Sequence, residues 1–318
     1  SEIARPYGIQ LVSEEPGTVT CYMSYKVTGE SFAVIPSEYL GKDYYTLNLW
    51  QDATDEYKPG QILIVGTESN TMVTYTPTVP TDSVAAGKSK SIVLQKGETF
   101  LIQSKRQDDY NQNAKTDLSG THITSNKPIA VLSGHTKGAF PRFSGTMMGV
   151  PANFMRNMLI EQLLPVSLLD TMYVSVPFAY KQRPYNDIDK DGEGDFIRFI
   201  ATQDNTTLYT NRTDGSRRII KQDMKQGEVY DITTQKSPAL YTSSKPVLVG
   251  QYAKAWRLTV VPPIVAPIGS KTEQPANPSR SGEGMLCTLI PRSAWPSSAI
   301  FRSPDGMNNF VGITFLTS

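Results

Sequence analysis

Along most of this chain, apolar and polar residues alternate in short runs, the period of a half-buried β-strand. Gln61-Ile62-Leu63-Ile64-Val65, Thr71-Met72-Val73-Thr74-Tyr75, Ser91-Ile92-Val93-Leu94 and Thr99-Phe100-Leu101-Ile102 are the clearest runs. Turn-forming residues separate them, at Glu68-Ser69-Asn70, Lys96-Gly97-Glu98, Asp214-Gly215 and Gln226-Gly227-Glu228. A helical stripe is nearly absent, and residues 153–164 form the best short candidate for one. The pattern predicts an all-β chain.

The runs also recur in order. Gly8-Ile9-Gln10-Leu11-Val12-Ser13 leading to Val19-Thr20-Cys21-Tyr22 aligns with two later stretches, Gly120 to Leu132 and Ala239 to Val249. Each is followed by an apolar-Pro step, at Ile35-Pro36, Leu164-Pro165 and Ile290-Pro291. Leu40 and Tyr44 after the first Pro match Leu169 and Tyr173 after the second. Self-similarity with a period of about 110 to 140 residues predicts one repeated module with roughly eight strands per repeat. The expected divisions are 7–119, 120–237 and 238–318, the third copy stopping before its hairpin. Two architectures fit: a closed propeller-like assembly of about six blades, or tandem β-sandwiches. Short junctions between copies favour the propeller.

Composition narrows the function. With 39% hydrophobic and 19% charged residues the chain builds a core, and its net charge of +1 gives no footprint for nucleic acid. No apolar run approaches the roughly 18 residues of a membrane span, and no leader pattern is visible at Ser1 to Pro6. Two sequons, at Asn205 and Asn211, are glycosylation candidates in a secreted chain. The two cysteines, Cys21 and Cys287, are either buried thiols or one long-range disulfide.

The sharpest chemical motif is Asp187-Ile188-Asp189-Lys190-Asp191-Gly192. Alternating carboxylates on a tight loop converge hard oxygens on one point, so Asp187, Asp189 and Asp191, with Asp195 as distal ligand, are the candidate Ca²⁺ site. The twelfth position is Arg198, where an EF-hand has Glu, and a solvated acidic loop is the plain alternative. Catalysis has little to draw on. His122 and His135 are the only histidines, and the chain has no G-x-S-x-G elbow, H-E-x-x-H, P-loop or dinucleotide fingerprint. Residues 138–151 break the alternation and carry Phe140, Arg142 and Phe143, the side-chain types that anchor interfaces. The same loop could equally fold back over the scaffold's own core. Residues 262–284, rich in Pro, Ser, Gly and Lys, read as a surface loop.

Several stretches together resemble the N-terminal domain of IgGFc-binding proteins, a family of secreted, mucus-associated glycoproteins. They are Gly120 to His135, Glu161-Gln162-Leu163-Leu164-Pro165-Val166, Tyr173-Val174-Ser175-Val176-Pro177-Phe178, Ala201 to Thr207 and Ser243 to Tyr252. The resemblance implies an extracellular, non-enzymatic module that adheres to other proteins or glycoproteins or assembles with itself. The alternatives from other classes are a lectin-like carbohydrate binder, favoured if exposed Tyr or Trp50, Trp256 or Trp295 stack in shallow grooves, and a carbohydrate-active enzyme, which needs paired carboxylates in a cleft.

Overall fold

The computed structural model describes residues 1–25, 28–50, 58–106, 116–138, 146–147, 150–151, 157–178, 194–211, 215–253, 256–257, 281–282 and 284–295. β1 (Ala4–Arg5) precedes a hairpin of β2 (Val19–Tyr25) and β3 (Thr28–Val34). A first large set follows: β4 (Gly41–Tyr45), β5 (Gly60–Gly66), β6 (Thr71–Thr76), β7 (Lys90–Leu94), β8 (Thr99–Gln103) and the long β9 (His122–Gly138). The short pair β10 (Thr146–Met147) and β11 (Val150–Pro151) leads to β12 (Asn157–Gln162). The second set is β13 (Met172–Ser175), β14 (Asp195–Ala201), β15 (Thr206–Asn211), β16 (Arg217–Met224), β17 (Val229–Gln235), β18 (Ala239–Ser243) and β19 (Val247–Ala253). Beyond β20 (Trp256–Arg257) and β21 (Ser281–Gly282), β22 (Met285–Thr288) completes it.

Strand pairing shows that the second set copies the first. The two sheets of the second set run β13-β18-β15-β16 and β17-β14-β19-β22. In the first set the start of β9 pairs with β4 and β6, and β6 with β7. The rest of β9 pairs with β5 and β12, and β5 with β8. β9 therefore plays the parts of both β18 and β19, changing partners across Asn126-Lys127-Pro128 where the second set breaks at Ser244-Lys245-Pro246. In each set the two layers meet through their rings: Tyr75 lies 5.9 Å from Phe100, and Phe199 lies 5.1 Å from Tyr241.

The turns repeat to the atom. Asn70 and Asn205 both hold φ 56, a left-handed conformation that Asn tolerates better than most side chains. The following Thr71 and Thr206 hydroxyls both donate back at 2.7 Å, to Glu68 O and Gln203 O. The next hairpins turn on Gly97 and Gly227, at φ 79 and 77, and Glu98 and Glu228 accept the Gln95 and Lys225 N–H groups. A single 3₁₀ turn follows each of Pro36, Pro165 and Pro291, because Pro sets φ for the turn and cannot extend the strand before it.

The four predicted runs lie in β5, β6, β7 and β8, with alternating burial in β5 and β6. Two expectations change. Propeller blades require strands that are sequential neighbours, whereas β13-β18-β15-β16 and β17-β14-β19-β22 interleave distant strands. The second set is two four-stranded sheets, and the first is one eight-stranded sheet that the long β9 carries through both layers. Residues 157–162, within the stretch read as a possible helix, are strand β12 paired to β9. The described strands fall into their two sets on either side of Pro165.

The two cores join. Ile200 and Leu248, on β14 and β19, pack into the cluster formed by Tyr44, Ile62, Val73, Ile123 and Val131 of the first set. The opposite face of β14, with Ile197, Phe199 and Ala201, fills the second set's own core. Every residue of β14 is buried, because the strand is covered on both faces.

Candidate functional site

Two polar clusters sit where strand sets meet. The first is built on Arg198, in the middle of β14 and 3% exposed. Its Nε and Nη2 donate to the two oxygens of Asp231, both at 2.9 Å. Nη1 donates to Asp117 Oδ2 at 2.6 Å, and to Asn48 O and Ser119 Oγ, both at 2.8 Å. Asp231 belongs to the second set; Asp117, Ser119 and Asn48 belong to the first. The guanidinium also lies 5.9 Å from the Trp50 ring and 5.2 Å from the Phe196 ring. Burial alone would lower its pKa, but the Asp117 charge and the Asp231 hydrogen bonds outweigh that and hold it above its ordinary value. A planar fork with five donors is the side chain that can bind two carboxylates and a carbonyl at once.

Around this ion cluster the sets touch closely. Tyr252 donates to Asn48 O at 3.0 Å, and the Gln226 amide donates to the Tyr45 hydroxyl. Gly120, at φ 79, lies so near Gly227 that a Cβ there would stand 2.2 Å from Gly227 O. Only glycine fits that approach.

The second cluster forms where β3, β12 and β22 come together. Asn157 ties all three: its Nδ2 donates to Gly29 O and Gly284 O, both at 2.9 Å, and its Oδ1 accepts the Gly29 N–H at 3.1 Å. Among the described residues β22 pairs with β19 alone. On its other side the Leu286 N–H donates to Glu30 Oε2 at 3.4 Å, and the Thr288 N–H donates to Glu161. Two carboxyl groups thus occupy the edge of β22 where another strand would add. Burial raises Glu30 to about 7, against the Ser31 and Leu286 N–H bonds. Burial and then the Glu30 charge raise Glu161 to about 8. Burial, helped by the charges of Glu161, Asp195 and Glu30, pushes up the Cys287 thiol.

The residues singled out from the sequence are scattered. Asp187, Asp189 and Asp191 lie outside the described residues, as do Phe140, Arg142 and Phe143. Asp195 begins β14, is fully buried, and its Oδ2 accepts from Phe178 N at 2.9 Å and from the Gln251 amide. Among the described residues no group of three His, Cys, Asp or Glu is placed to hold a metal. Asn205 is exposed at the tip of its turn. Asn211 is half-buried on β15, and its Oδ1 accepts from Thr242 at 3.1 Å.

Of the two readings of the cysteines, free thiols and a disulfide, the structure has Cys21 and Cys287 as free thiols. Cys21 pairs with Phe32 inside the β2–β3 hairpin and Cys287 with Gln251 in β22, and it is β3, not β2, that bonds to β22. His122 Nε2 meets Asp43 Oδ1 at 2.7 Å, and its ring stacks on Tyr45 with centroids 4.6 Å apart. His135 is fully buried. Arg198, Glu30, Glu161 and Asn157 were not anticipated as a group. One signal was available for Arg198, since a charge interrupts the apolar run Phe196-Ile197-Arg198-Phe199-Ile200.

No solved structure matches this chain. The human IgGFc-binding protein is 25% identical over 221 residues, which is 68% of this chain but 3% of that protein, so the chain spans a small part of its relative's length. The family model described as IgGFc binding protein matches residues 30–317, which takes in both strand sets and both clusters. The chain belongs to the IgGFc-binding protein family.

Proposed function

We propose that this chain is a non-enzymatic, extracellular binding and structural module that works by protein–protein contact, with other extracellular proteins or glycoproteins or with further copies of itself. Family membership carries the reading, since the relative it matches is named for binding a protein. The use of the charged groups supports it. Arg198, Asp117 and Asp231 are spent on locking two sandwiches together. Glu30 and Glu161 bond to backbone N–H groups of one strand edge. Such a frame suits the rigid display of loops, and residues 138–151 with Phe140, Arg142 and Phe143 are the proposed contact loop.

Two of the three tryptophans that, with exposed Tyr, would favour a lectin-like reading have structural contacts. Trp50 packs on the Arg198 guanidinium, and Trp295 donates its indole N–H to Ile290 O at 2.9 Å. That observation favours the protein-binding reading over the carbohydrate-binding one. Within it, glycosylation at Asn205 and calcium at Asp187, Asp189 and Asp191 fit a secreted chain.

Surface plasmon resonance with two probes, the Fc fragment of immunoglobulin G and the chain itself, tests the proposal. Saturable binding to either supports it. Saturable binding to arrayed glycans with neither protein bound would transfer the function to carbohydrate recognition. Turnover of an oligosaccharide would make it an enzyme.

A further inference from the structure

The β2–β3 hairpin is held to the rest of the chain along one edge. Asn157 takes both the N–H and the C=O of Gly29, and Gln162 Oε1 accepts the Ile35 N–H at 3.1 Å. The odd-numbered backbone groups of β3 therefore point toward β12 and away from β2. Backbone direction alternates in an antiparallel pair, so Glu30, Phe32 and Val34 are the residues bonded to β2, at Met23, Cys21 and Val19. By the same alternation the N–H and C=O groups of Thr20, Tyr22 and Ser24 point along the second edge of β2. Among the described residues that edge has no strand partner.

Elsewhere the same element is paired on both edges. Ser13 Oγ donates to Glu15 O at 2.6 Å, as Ser125 Oγ does to Lys127 O and Ser243 Oγ to Lys245 O, both also at 2.6 Å. A proline follows each turn, at Pro16, Pro128 and Pro246, which puts Val19 in the place of Val131 and Val249. There β9 lies between β5 and β12, and β19 between β14 and β22. Val131 and Val249 are fully buried, whereas Val19 is 41% exposed. Two strands alone are also fewer than an independently stable sheet requires.

Other strand edges carry defences that β2 lacks. β16 bears Arg217, Arg218 and Lys221 and has two register shifts against β15. β7 bears Lys90, and the Glu30 and Glu161 carboxyls fill the edge of β22. Charges and bulges of this kind stop a sheet edge from pairing with another chain. β2 reads Val19-Thr20-Cys21-Tyr22-Met23-Ser24-Tyr25, with no charge, Pro or Gly. Its surroundings are apolar too: eight of the thirteen exposed large apolar side chains among the described residues fall within residues 3–23.

The strand that fits this edge is β2 itself. Val19, Cys21 and Met23 give one face an apolar row, and Thr20, Tyr22 and Ser24 give the other a row of hydroxyls. Antiparallel pairing about a two-fold axis at Tyr22 sets Thr20 against Ser24 and Cys21 against Met23. Like then meets like on both faces, and no charge is buried.

We propose that β2 is a self-association site, at which two molecules of this chain pair β2 to β2, antiparallel about Tyr22, into one four-stranded sheet. The backbone groups of Thr20, Tyr22 and Ser24 supply the new hydrogen bonds. The interface is isologous, the kind that closes as a dimer. This deepens the protein-contact reading above, on which it rests, by naming the surface and the partner.

Sedimentation and cross-linking test it. Dimers should form in a fraction that rises with concentration from micromolar to near-millimolar. Tyr22→Lys sets two ammonium groups against each other at the axis and should weaken dimerisation at least tenfold, whereas Tyr22→Phe should leave it unchanged. Protected amides at 62–66, in β5, check that each variant keeps its fold. In this register Cys21 and Met23 form a non-hydrogen-bonded pair, the closer of the two kinds. Mild oxidation of Met23→Cys with Cys287→Ser should therefore link Cys21 of one molecule to position 23 of the other, mapped by mass spectrometry. A chain that stays monomeric throughout, dimerisation that Tyr22→Lys leaves intact, or covalent dimers without the 21-to-23 link would each overturn the proposal. Fc binding by such a chain would leave the protein-contact reading standing and remove this inference alone.

Discussion

Tyr44 and Tyr173 make the same pair of hydrogen bonds in successive strand sets. Tyr44 donates to Ile129 O at 2.7 Å and accepts the Gly41 N–H at 2.8 Å; Tyr173 donates to Val247 O at 2.6 Å and accepts the Asp170 N–H at 3.0 Å. Each hydroxyl bridges the strand after its 3₁₀ turn to the strand that returns much later, so it closes the sandwich across its layers. Burial raises both pKa values. Tyr44→Phe and Tyr173→Phe deprive a buried carbonyl and a partly buried N–H of this partner, and each should cost about 1–3 kcal/mol. Urea denaturation measures this, and equivalence of the two sets predicts losses of similar size. A neutral result at one site and a large loss at the other would contradict that equivalence.

Arg198 makes a sharper demand. Arg198→Ala strands Asp117 and Asp231 at the junction and should cost about 3–5 kcal/mol. Arg198→Lys keeps the charge but not the fork, so it should recover only part of that loss. Asp117→Asn with Asp231→Asn leaves the guanidinium buried without a counter-charge and should be comparably damaging. Stability of each variant by urea unfolding, with native-state exchange at β14 amides, separates loosening of the junction from global unfolding. Stability equal to the parent in Arg198→Ala would mean that the cluster does not lock the sets.

How far the sequence could be read depended on whether the information was local. β5 and β6 were legible because Ile62, Ile64, Val73 and Tyr75 alternate with less buried neighbours. β14 has no such alternation, since a second sandwich covers its outer face, and that contact joins residues far apart in sequence. β12 read as a possible helix because Leu159, Leu163 and Leu164 also fit helical spacing; pairing with β9 decides otherwise. Strand alternation is the same in a propeller and a sandwich, so only the partners of β18 and β19 distinguish them. Glu30 and Glu161 looked like ordinary polar positions on strands. Their burial comes from three strands meeting, which no local window contains.

The acidic loop yields a prediction that stands on its chemistry alone. If Asp187, Asp189 and Asp191 converge on calcium, titration with millimolar Ca²⁺ should give binding heat and raise Tm, and Asp189→Ala should abolish both. Asp195→Asn is a different substitution. It weakens acceptance from Phe178 N and the Gln251 amide inside the fold, and should destabilise the chain with or without the ion. Identical calorimetry for the parent and Asp189→Ala would rule out the site.

The buried carboxyl pair makes stability depend on pH in a specified direction. Glu30 and Glu161 have folded-state pKa values of about 7 and about 8, above the ordinary 4.5. Between these limits the folded chain holds protons that the unfolded chain has released. Stability is therefore greatest near the ordinary carboxylate pKa, falls as pH rises through the raised values, and levels off above them. Each proton contributes a slope of at most about 1.4 kcal/mol per pH unit, and the two groups titrate as a coupled pair. Glu2, Asp170 and Glu228 have lowered values, so their contributions are lost only at more acid pH and do not mask the window. Ionising both carboxyls places two negative charges at the edge of β22, where Glu30 of β3 bonds to Leu286, so the β2–β3 hairpin should loosen first. Urea unfolding from about pH 5 to about pH 8 should show this decline, and Glu161→Gln, which keeps the shape but cannot ionise, should flatten its alkaline part. A profile that rises across this window, or one that Glu161→Gln leaves unaltered, would show that the pair is not buried as the geometry requires.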